Sequence, residues 1–402
     1  MKREWIREQL HKGAFQTPCY LFDMEELHQH VETIKTYTAG KVGLCYAMKA
    51  NPFLIRTLSK CIDKIEVCSP GELEICKASH IPPTSIIFSG VNKTKKNIEA
   101  ACEYGVDIIT LESKKHWELL KEVCFEKDIS GIKILPRLTN GSQFGMNEDE
   151  LLQVIAEAQA LSAFSVMGIH YFSGTQKKKM DKLSEELHML DELLVKIKKE
   201  YSLDDLTLEY GAGLFVPYFE GENFDGLYDN LKALVEMIDE VSGASTASYR
   251  TVLELGRFFA FSCGTYMTTV EDVKNNGEHH YVIVDGGIHQ LNYYGQNMAM
   301  RVPQMELVNM KPEGETSESA IVESTICGSL CTMADVLVRK WTGQLPEDGD
   351  VFAFYNAGSY SMTEAPALFL SRTMPKIYQY SSEMGLQVLR EFQESFELNL
   401  GD

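Results

Sequence analysis

The stretch Cys45-Tyr46-Ala47-Met48-Lys49-Ala50-Asn51-Pro52 delivers one lysine at the end of an apolar run and then halts the run with Asn-Pro. A free lysine amine titrates near pH ~10.4 and is a poor nucleophile at neutral pH, so it needs desolvation or a neighbouring charge before it forms a Schiff base. A lone lysine there reads just as well as a solvated strand end; its company decides. Further along, apolar runs end in Arg137, in His170 with Ser173, in the turn Gly211-Ala212-Gly213, and in Glu254-Leu255-Gly256-Arg257. A glycine turn after a strand bares backbone N–H groups that hold phosphate, although a plain tight turn has the same composition. With a hydroxyl at Ser173 and a guanidinium at Arg257, the turn makes a phosphate cup. An acid at Glu254 beside that cup suits a protonated ring nitrogen. Schiff-base amine, anion cup and ring-nitrogen acid are together what pyridoxal 5'-phosphate requires.

These residues need a scaffold that brings strand ends together. Between Lys41 and Gly256 eight short β-rich runs occur: Val42 to Met48, Ile65 to Cys68, Ser85 to Phe88, Ile108 to Leu111, Ile132 to Leu138, Val166 to Phe172, Leu206 to Tyr210 and Thr251 to Leu255. Most are near-continuously apolar, as strands covered on both faces are. Helical periodicity fills most gaps, over Gly71 to Ser79, Lys95 to Tyr104, Lys114 to Glu126, Glu148 to Leu161, Lys179 to Glu200 and Gly226 to Glu240. Eight such units predict a parallel (β/α)8 barrel, whose chemistry lies at the C-terminal strand ends. A doubly wound open sheet is the alternative, because periodicity does not show closure. After Gly264 the texture turns to strands: Thr265 to Val270, His280 to Val284, Ala320 to Ile326 and Val351 to Tyr355 predict a second, mostly antiparallel β domain. The leading Thr17 to Asp23 is a further strand suited to join it, and Leu330 to Val338 and Ser381 to Gln393 are expected as helices.

The 402 residues are 44% hydrophobic and carry a net charge of -20. That charge argues against nucleic acid or an anionic membrane as partner. No apolar run approaches the ~20 residues of a membrane span and no secretory h-region follows Met1, so a cytoplasmic location is expected. Ten cysteines are scattered without a C-x-x-C pair, which suggests neither a disulfide framework nor a metal site.

The ordered segments Tyr46 to Pro52 (YAMKANP), His170 to Gly174 (HYFSG), Tyr210 to Gly213 (YGAG), Glu254 to Arg257 (ELGR), Cys327 to Asp335 (CGSLCTMAD) and Asn356 to Tyr360 (NAGSY) resemble the motifs of the fold-type III pyridoxal-phosphate decarboxylases acting on ornithine, arginine or diaminopimelate. The resemblance runs from Thr17 to about Phe369. It implies an alanine-racemase-like (β/α)8 barrel over residues 24–264, and a mostly antiparallel β domain from 1–23 and 265–402. It also implies a homodimer with sites shared across the interface. Residue by residue, Lys49 holds the cofactor, His170 stacks on its ring, and Glu254 meets the ring nitrogen. Ser173, Gly211, Gly213, Gly256, Arg257 and Tyr360 hold the phosphate, with Glu66 and Arg137 in support. Cys331 of the partner subunit protonates the substrate carbon, and Arg301, Thr332 and Asp335 lie on the substrate side.

Departures from that pattern are informative. Ala212 replaces the middle glycine of the turn, Phe215 stands where glycine is frequent, Leu255 where proline is, and Gln143 where lysine is. Thr332 replaces the acid that faces the distal ammonium in the diamine and diaminopimelate enzymes. A buried ammonium without its counter-charge costs several kcal/mol, so the substrate's far end is expected to be no free cation. This resembles the antibiotic- and siderophore-pathway branch, which includes a carrier-protein glutamyl decarboxylase and a citryl-diaminopropionate decarboxylase. The expected partner is an amino acid or conjugate, free or carried on a protein, with Lys93 to Lys96 as a basic docking patch and Asp335 pairing across the dimer. Three alternatives are diaminopimelate decarboxylase proper, an amino-acid racemase, against which Glu254 argues, and a non-catalytic regulatory homologue.

Overall fold

The computed structural model describes residues 3–311 and 321–401. The chain divides into two compact units, one of Val31–Val216 with Asp225–Phe258, the other of the chain up to His30, Pro217–Phe224 and everything from Phe259 on.

The first unit is a closed parallel barrel. Its strands are Val42–Ala47, Lys64–Val67, Ile86–Phe88, Ile108–Leu111, Ile132–Leu138, an interrupted sixth (Phe164–Val166 and Gly168–Phe172), Thr207–Gly211 and Arg250–Leu255. The first pairs with the eighth (Leu44 with Leu253) and the fourth with the fifth (Ile109 with Ile134), so no edge remains and the open-sheet alternative falls. Four of the helices between strands start where a polar side chain caps an amide: Ser69 accepts from Glu72 N, Thr94 forms a capping box with Asn97, Ser113 accepts from His116 N, and Asn147 from Glu150 N. Cys45, Ile87, Ile108 and Leu135 meet in a cluster of buried side chains, with Met167 and Val252 packed against it.

The first strand stops short of its apolar run and the sixth is interrupted within its own. Met48, expected in the first strand, instead opens a 3₁₀ turn, Met48–Ala50, because Asn51 returns its N–H to Met48 O (3.0 Å) and its side chain caps the next turn at Phe53 N. The sixth run breaks at Met167-Gly168. Gly168 has φ +139°, and a Cβ there would lie 1.9 Å from Thr207 O, so only glycine lets the sixth and seventh strands approach.

The second unit holds nine strands among its described residues. Their order is Val336–Gln344, Ile321–Cys327, His279–Val284, Gly264–Asn276, Cys19–Asp23, Lys376–Ser381 and Gly385–Arg390, with Val351–Phe354 joining Gly264–Asn276 to Met305–Val308. The sheet is mostly antiparallel, with parallel pairs only at Cys19–Asp23 beside Lys376–Ser381 and at His279–Val284 beside Ile321–Cys327. The leading strand enters this sheet as expected. Of the expected strand Ala320 to Ile326, Ala320 lies outside the described residues. A helix that periodicity did not suggest, Arg3–His11, buries Ile6 and Leu10 with Phe15, Met267 and Tyr378.

Both helices expected in this unit are absent. Leu330 to Asp335 is a loop whose backbone is claimed by the Asp335 carboxylate, and Val336–Gln344 then pairs with Ile321–Cys327. Ser381 to Gln393 holds the turn and return strand of a hairpin, Lys376–Ser381 with Gly385–Arg390, the return strand opening on Gly385 at φ +67°. No helix of the described residues is long and apolar enough to cross a membrane.

Candidate active site

Lys49 stands in the turn that closes the first strand, its side chain 38% exposed while both carboxylates beside it are buried. Nζ lies 2.8 Å from Glu66 Oε2 and 3.5 Å from Glu254 Oε1, with Cys68 Sγ at 3.6 Å. Glu66 comes from the second strand, opposite Ala47, and Glu254 from the eighth, opposite Cys45. Adjacent parallel strands thus place two acids and one amine at one end of the barrel. The ammonium offsets part of the cost of burying both carboxylates.

His170, on the sixth strand and 1% exposed, sets Nε2 at 3.1 Å from Glu254 Oε2. Burial first, then the Arg137 and Lys49 charges, push its pKa down to about 3, outweighing Glu66 and Glu112. The contact is therefore a hydrogen bond from a neutral imidazole to a carboxylate, not an ion pair. With Nε2–H donating, Nδ1 is a bare acceptor, and it has no partner among the described residues. Glu66, His170 and Glu254 also offer donor atoms within 4.8 Å of one another, a spacing that suits a metal ion. The Lys49 ammonium already faces two of these groups and competes with a dication.

Arg137 ends the fifth strand and is buried, donating Nη1 to Glu112 Oε1 at 2.7 Å, and its guanidinium lies 4.9 Å from the Phe144 ring centroid. The other Glu112 oxygen accepts from Gly145 N at 3.0 Å. Arg137 thus fixes the loop after its own strand. Gln143 is exposed in that loop.

After the sixth and seventh strands, two loops touch backbone to backbone. A Cβ on Gly213 (φ +62°) would sit 1.8 Å from Gly174 O, and one on Gly211 would sit 2.5 Å from Phe172 Cδ2 and 3.3 Å from Glu254 Oε2. Ser173 Oγ lies 3.2 Å from the carbonyl oxygens of both Gly211 and Ala212. Ala212 is buried, and Phe215 lies under the Lys178 ammonium at 3.8 Å. Gly256 and the buried Arg257 follow the eighth strand directly.

Tyr360, Arg301, Cys331, Thr332 and Asp335 belong to the other unit. Tyr360 has φ +62° and Asn356 φ +56°, two non-glycine residues in the left-handed region within five positions. Such outliers persist where the surroundings hold them. Arg301 lies 3.8 Å over the Phe219 ring and donates to Glu222 at 2.7 Å. Cys331 is exposed, and Thr332 Oγ1 accepts from Ala334 N at 3.3 Å. Asp335 departs from expectation. It is 2% exposed, with Oδ1 accepting from Ile288 N (2.8 Å) and Oδ2 from Leu330 N (2.7 Å), so its carboxylate holds its own loop and does not face outward to a substrate or a second subunit.

Of the expected basic patch, Lys96 is exposed while the other lysines are engaged. Lys93 is buried, with Nζ on Gly90 O at 2.6 Å and its pKa pushed down to about 8 by burial, and Lys95 is paired with Glu122 and Glu126. Sequence reading missed Glu112 and Glu209. Glu112 follows the fourth strand as Glu254 closes the eighth, and the same strand-end rule would have found it. Glu209 had a signal too, an acid inside the apolar run Leu206 to Tyr210.

These features fit pyridoxal phosphate: an amine held between two buried acids, a neutral histidine with an orphaned nitrogen, and a cradle where any Cβ would collide. Residues 24–261 match the family described as pyridoxal-dependent decarboxylase, pyridoxal binding domain, and the chain belongs to that family of pyridoxal-phosphate-dependent carboxy-lyases. It is similar to the L-glutamyl-[BtrI acyl-carrier protein] decarboxylase of Niallia circulans, 26% identical with 90% of this chain and 88% of the relative covered. It is also similar to the 2-[(L-alanin-3-ylcarbamoyl)methyl]-2-hydroxybutanedioate decarboxylase of Staphylococcus aureus, at 28% with 92% and 96% covered. The fold is that of the diaminopimelate decarboxylase of Methanocaldococcus jannaschii, with a TM-score of 0.83 at 23% identity, covering 98% of this chain and 93% of that one.

Proposed function

We propose that this chain decarboxylates an α-amino acid centre whose far end is amide-, thioester- or citryl-linked and not a free cation. The observation that carries this reading is the loop Gly328 to Asp335. Its one acid, Asp335, is turned inward onto two amides, which leaves a thiol and a hydroxyl at Cys331-Thr332 and no carboxylate for a distal ammonium. The carrier-linked and citryl-type relatives support the same direction. Diaminopimelate decarboxylation is the second reading, favoured by relatives of that name at 24 to 25% identity.

Pyridoxal phosphate, when bound, supplies the electron sink for the pair left on the α-carbon as carbon dioxide departs. In this reading Lys49 would supply the amine that holds the cofactor and gives way to the substrate amine, with Glu66 and Glu254 placed to hold its proton. Glu254 serves the ring nitrogen, oriented by the neutral His170. Ser173, Gly211, Gly213, Gly256, Arg257 and Tyr360 anchor the phosphate, while Arg137 with Glu112 fixes the neighbouring loop. Cys331, from a second copy, returns a proton to the substrate carbon, with Arg301 and Thr332 on the substrate side. The functional division runs 24–264 against 1–23 with 265–402, in a cytoplasmic homodimer.

Presenting the purified holoenzyme with a γ-glutamyl carrier thioester, a citryl-diaminopropionate and meso-diaminopimelate, and following amine formation by mass spectrometry, tests the assignment. Turnover of either acylated substrate well above that of meso-diaminopimelate is the expected result. Preference for meso-diaminopimelate would overturn the use made of Thr332.

A further inference from the structure

The barrel has a second mouth, at the N-terminal ends of its strands, opposite the end that carries Lys49. There a cavity of about 670 Å³ opens between the strand starts. Its walls are apolar, with Ile87, Ile108, Leu135, Met167 and Val252 among them. It also reaches Glu209, which is 0% exposed and has no hydrogen-bond partner for either carboxyl oxygen among the described residues. Burial, then the Glu254 and Glu66 charges, push the pKa of Glu209 well above the carboxylate range, with only the Cys45 thiol and the Lys49 charge opposing. Its donor form, an O–H, is favoured. A buried polar group without a partner is costly, so a ligand atom that accepts from it binds about tenfold or more tightly than an apolar one in its place.

The rim carries cationic groups in a protein whose net charge is -20. Asp107 is clamped between Lys64 (2.5 Å) and Lys133 (2.8 Å), which leaves one positive charge over. Asp63, which accepts from Leu44 N, lines the same mouth and offsets that surplus, so Arg250 adds the uncompensated positive charge. Arg250 is exposed, makes only a long Nε contact to Thr207 Oγ1 at 3.4 Å, and has no partner for its terminal nitrogens among the described residues. Arg250 pairs with Thr207 across the strands, and Glu209 lies two residues further in, about 6 to 7 Å along the strand.

We propose that this mouth is a second ligand site, distinct from the decarboxylation site, for a short linear organic acid with a neutral acceptor at its far end. Its carboxylate meets Arg250 with Lys64 and Lys133, its methylenes lie on the apolar walls, and its keto or hydroxyl oxygen accepts from Glu209. A second negative charge at the inner end would face Glu209, on which the Glu254 and Glu66 charges already act, and a diamine would meet the cationic rim. The far end is therefore uncharged and the outer end anionic.

The test uses the full-length holoenzyme reduced with borohydride, so that the Lys49 site is blocked, titrated calorimetrically with 4-oxopentanoate, 5-oxohexanoate, glutarate and 1,5-diaminopentane. An oxo acid should bind, and glutarate and the diamine about tenfold more weakly or not at all. Arg250→Glu should weaken oxo-acid binding about tenfold or more. Gly43, whose added Cβ would meet Val252 Cγ2 at 3.4 Å, offers a second variant, in which Gly43→Leu fills the cavity and abolishes binding. Cofactor absorbance and melting temperature report whether each variant is folded; the surface change at Arg250 suffices if Gly43→Leu is not. Failure of both oxo acids to bind, binding of the diamine as tight as theirs, or unchanged affinity in Arg250→Glu overturns the proposal.

Discussion

Lys49 lies 2.8 Å from one buried carboxylate and 3.5 Å from another, so removing it leaves Glu66 and Glu254 without their cation and, on the proposed role, takes away the amine that holds the cofactor. Lys49→Ala should lose the borohydride-sensitive visible band and bind the cofactor at least tenfold more weakly, measured by absorbance titration. Cys331→Ala should keep that band and lose most turnover, since the thiol is exposed and makes no part of the barrel. Undiminished amine formation by that variant would remove Cys331 from the mechanism. His170 gives a pH prediction whose sign follows from its depressed pKa of about 3 against an ordinary value near 6.5. The unfolded chain takes up the proton first as pH falls, so stability present above about pH 6.5 is lost toward pH 3, by up to about 1.4 kcal/mol per unit. His116 and His289, both pushed down to about 4 by burial, add in the same direction. Denaturant midpoints between pH 7 and 5 should fall, and His170→Gln should flatten the slope.

At the scale of elements, the site depends on loops held in conformations that other residues resist. Gly213→Ala would force a Cβ into Gly174 O from a left-handed backbone, so the two loops must separate. Cofactor affinity should drop more than tenfold while the barrel's far-ultraviolet signal persists, as equilibrium dialysis and circular dichroism would show. Asp335→Ala would orphan the amides of Ile288 and Leu330 at about 1–3 kcal/mol each. Thermal unfolding should report that loss, and the Cys331 loop should become the readiest site of proteolysis. A variant as stable as the parent would remove Asp335 from its role as clamp.

For the whole molecule, a homodimer with shared sites predicts complementation. Mixing Lys49→Ala and Cys331→Ala subunits after dissociation should restore about a quarter of parental activity, because half the dimers are mixed and each holds one intact site. Activity that stays at the level of the separate variants would place both groups in the same subunit or leave the chain monomeric. Light scattering coupled to gel filtration measures the assembly directly.

Barrel, motif order and most helix bounds were legible in the sequence because strands covered on both faces are apolar without interruption and capping residues mark helix starts. The strand-end rule located Lys49, Arg137, His170 and Glu254 for the same reason: in a parallel barrel, order along the chain fixes which end a residue occupies. Two things were not legible. Leu330 to Val338 and Ser381 to Gln393 resemble helices in their apolar spacing, but the Asp335 carboxylate holds the first as a loop, and Val336–Gln344 and Gly385–Arg390 fold back onto the strands that precede them, a pairing that apolar spacing does not show. The environment of each charged group was likewise decided only by tertiary packing. Asp335 faces its own backbone, Lys93 is buried and Glu209 has no hydrogen-bond partner among the described residues, because whether a charge meets water, an amide or nothing depends on residues brought close from elsewhere in the chain.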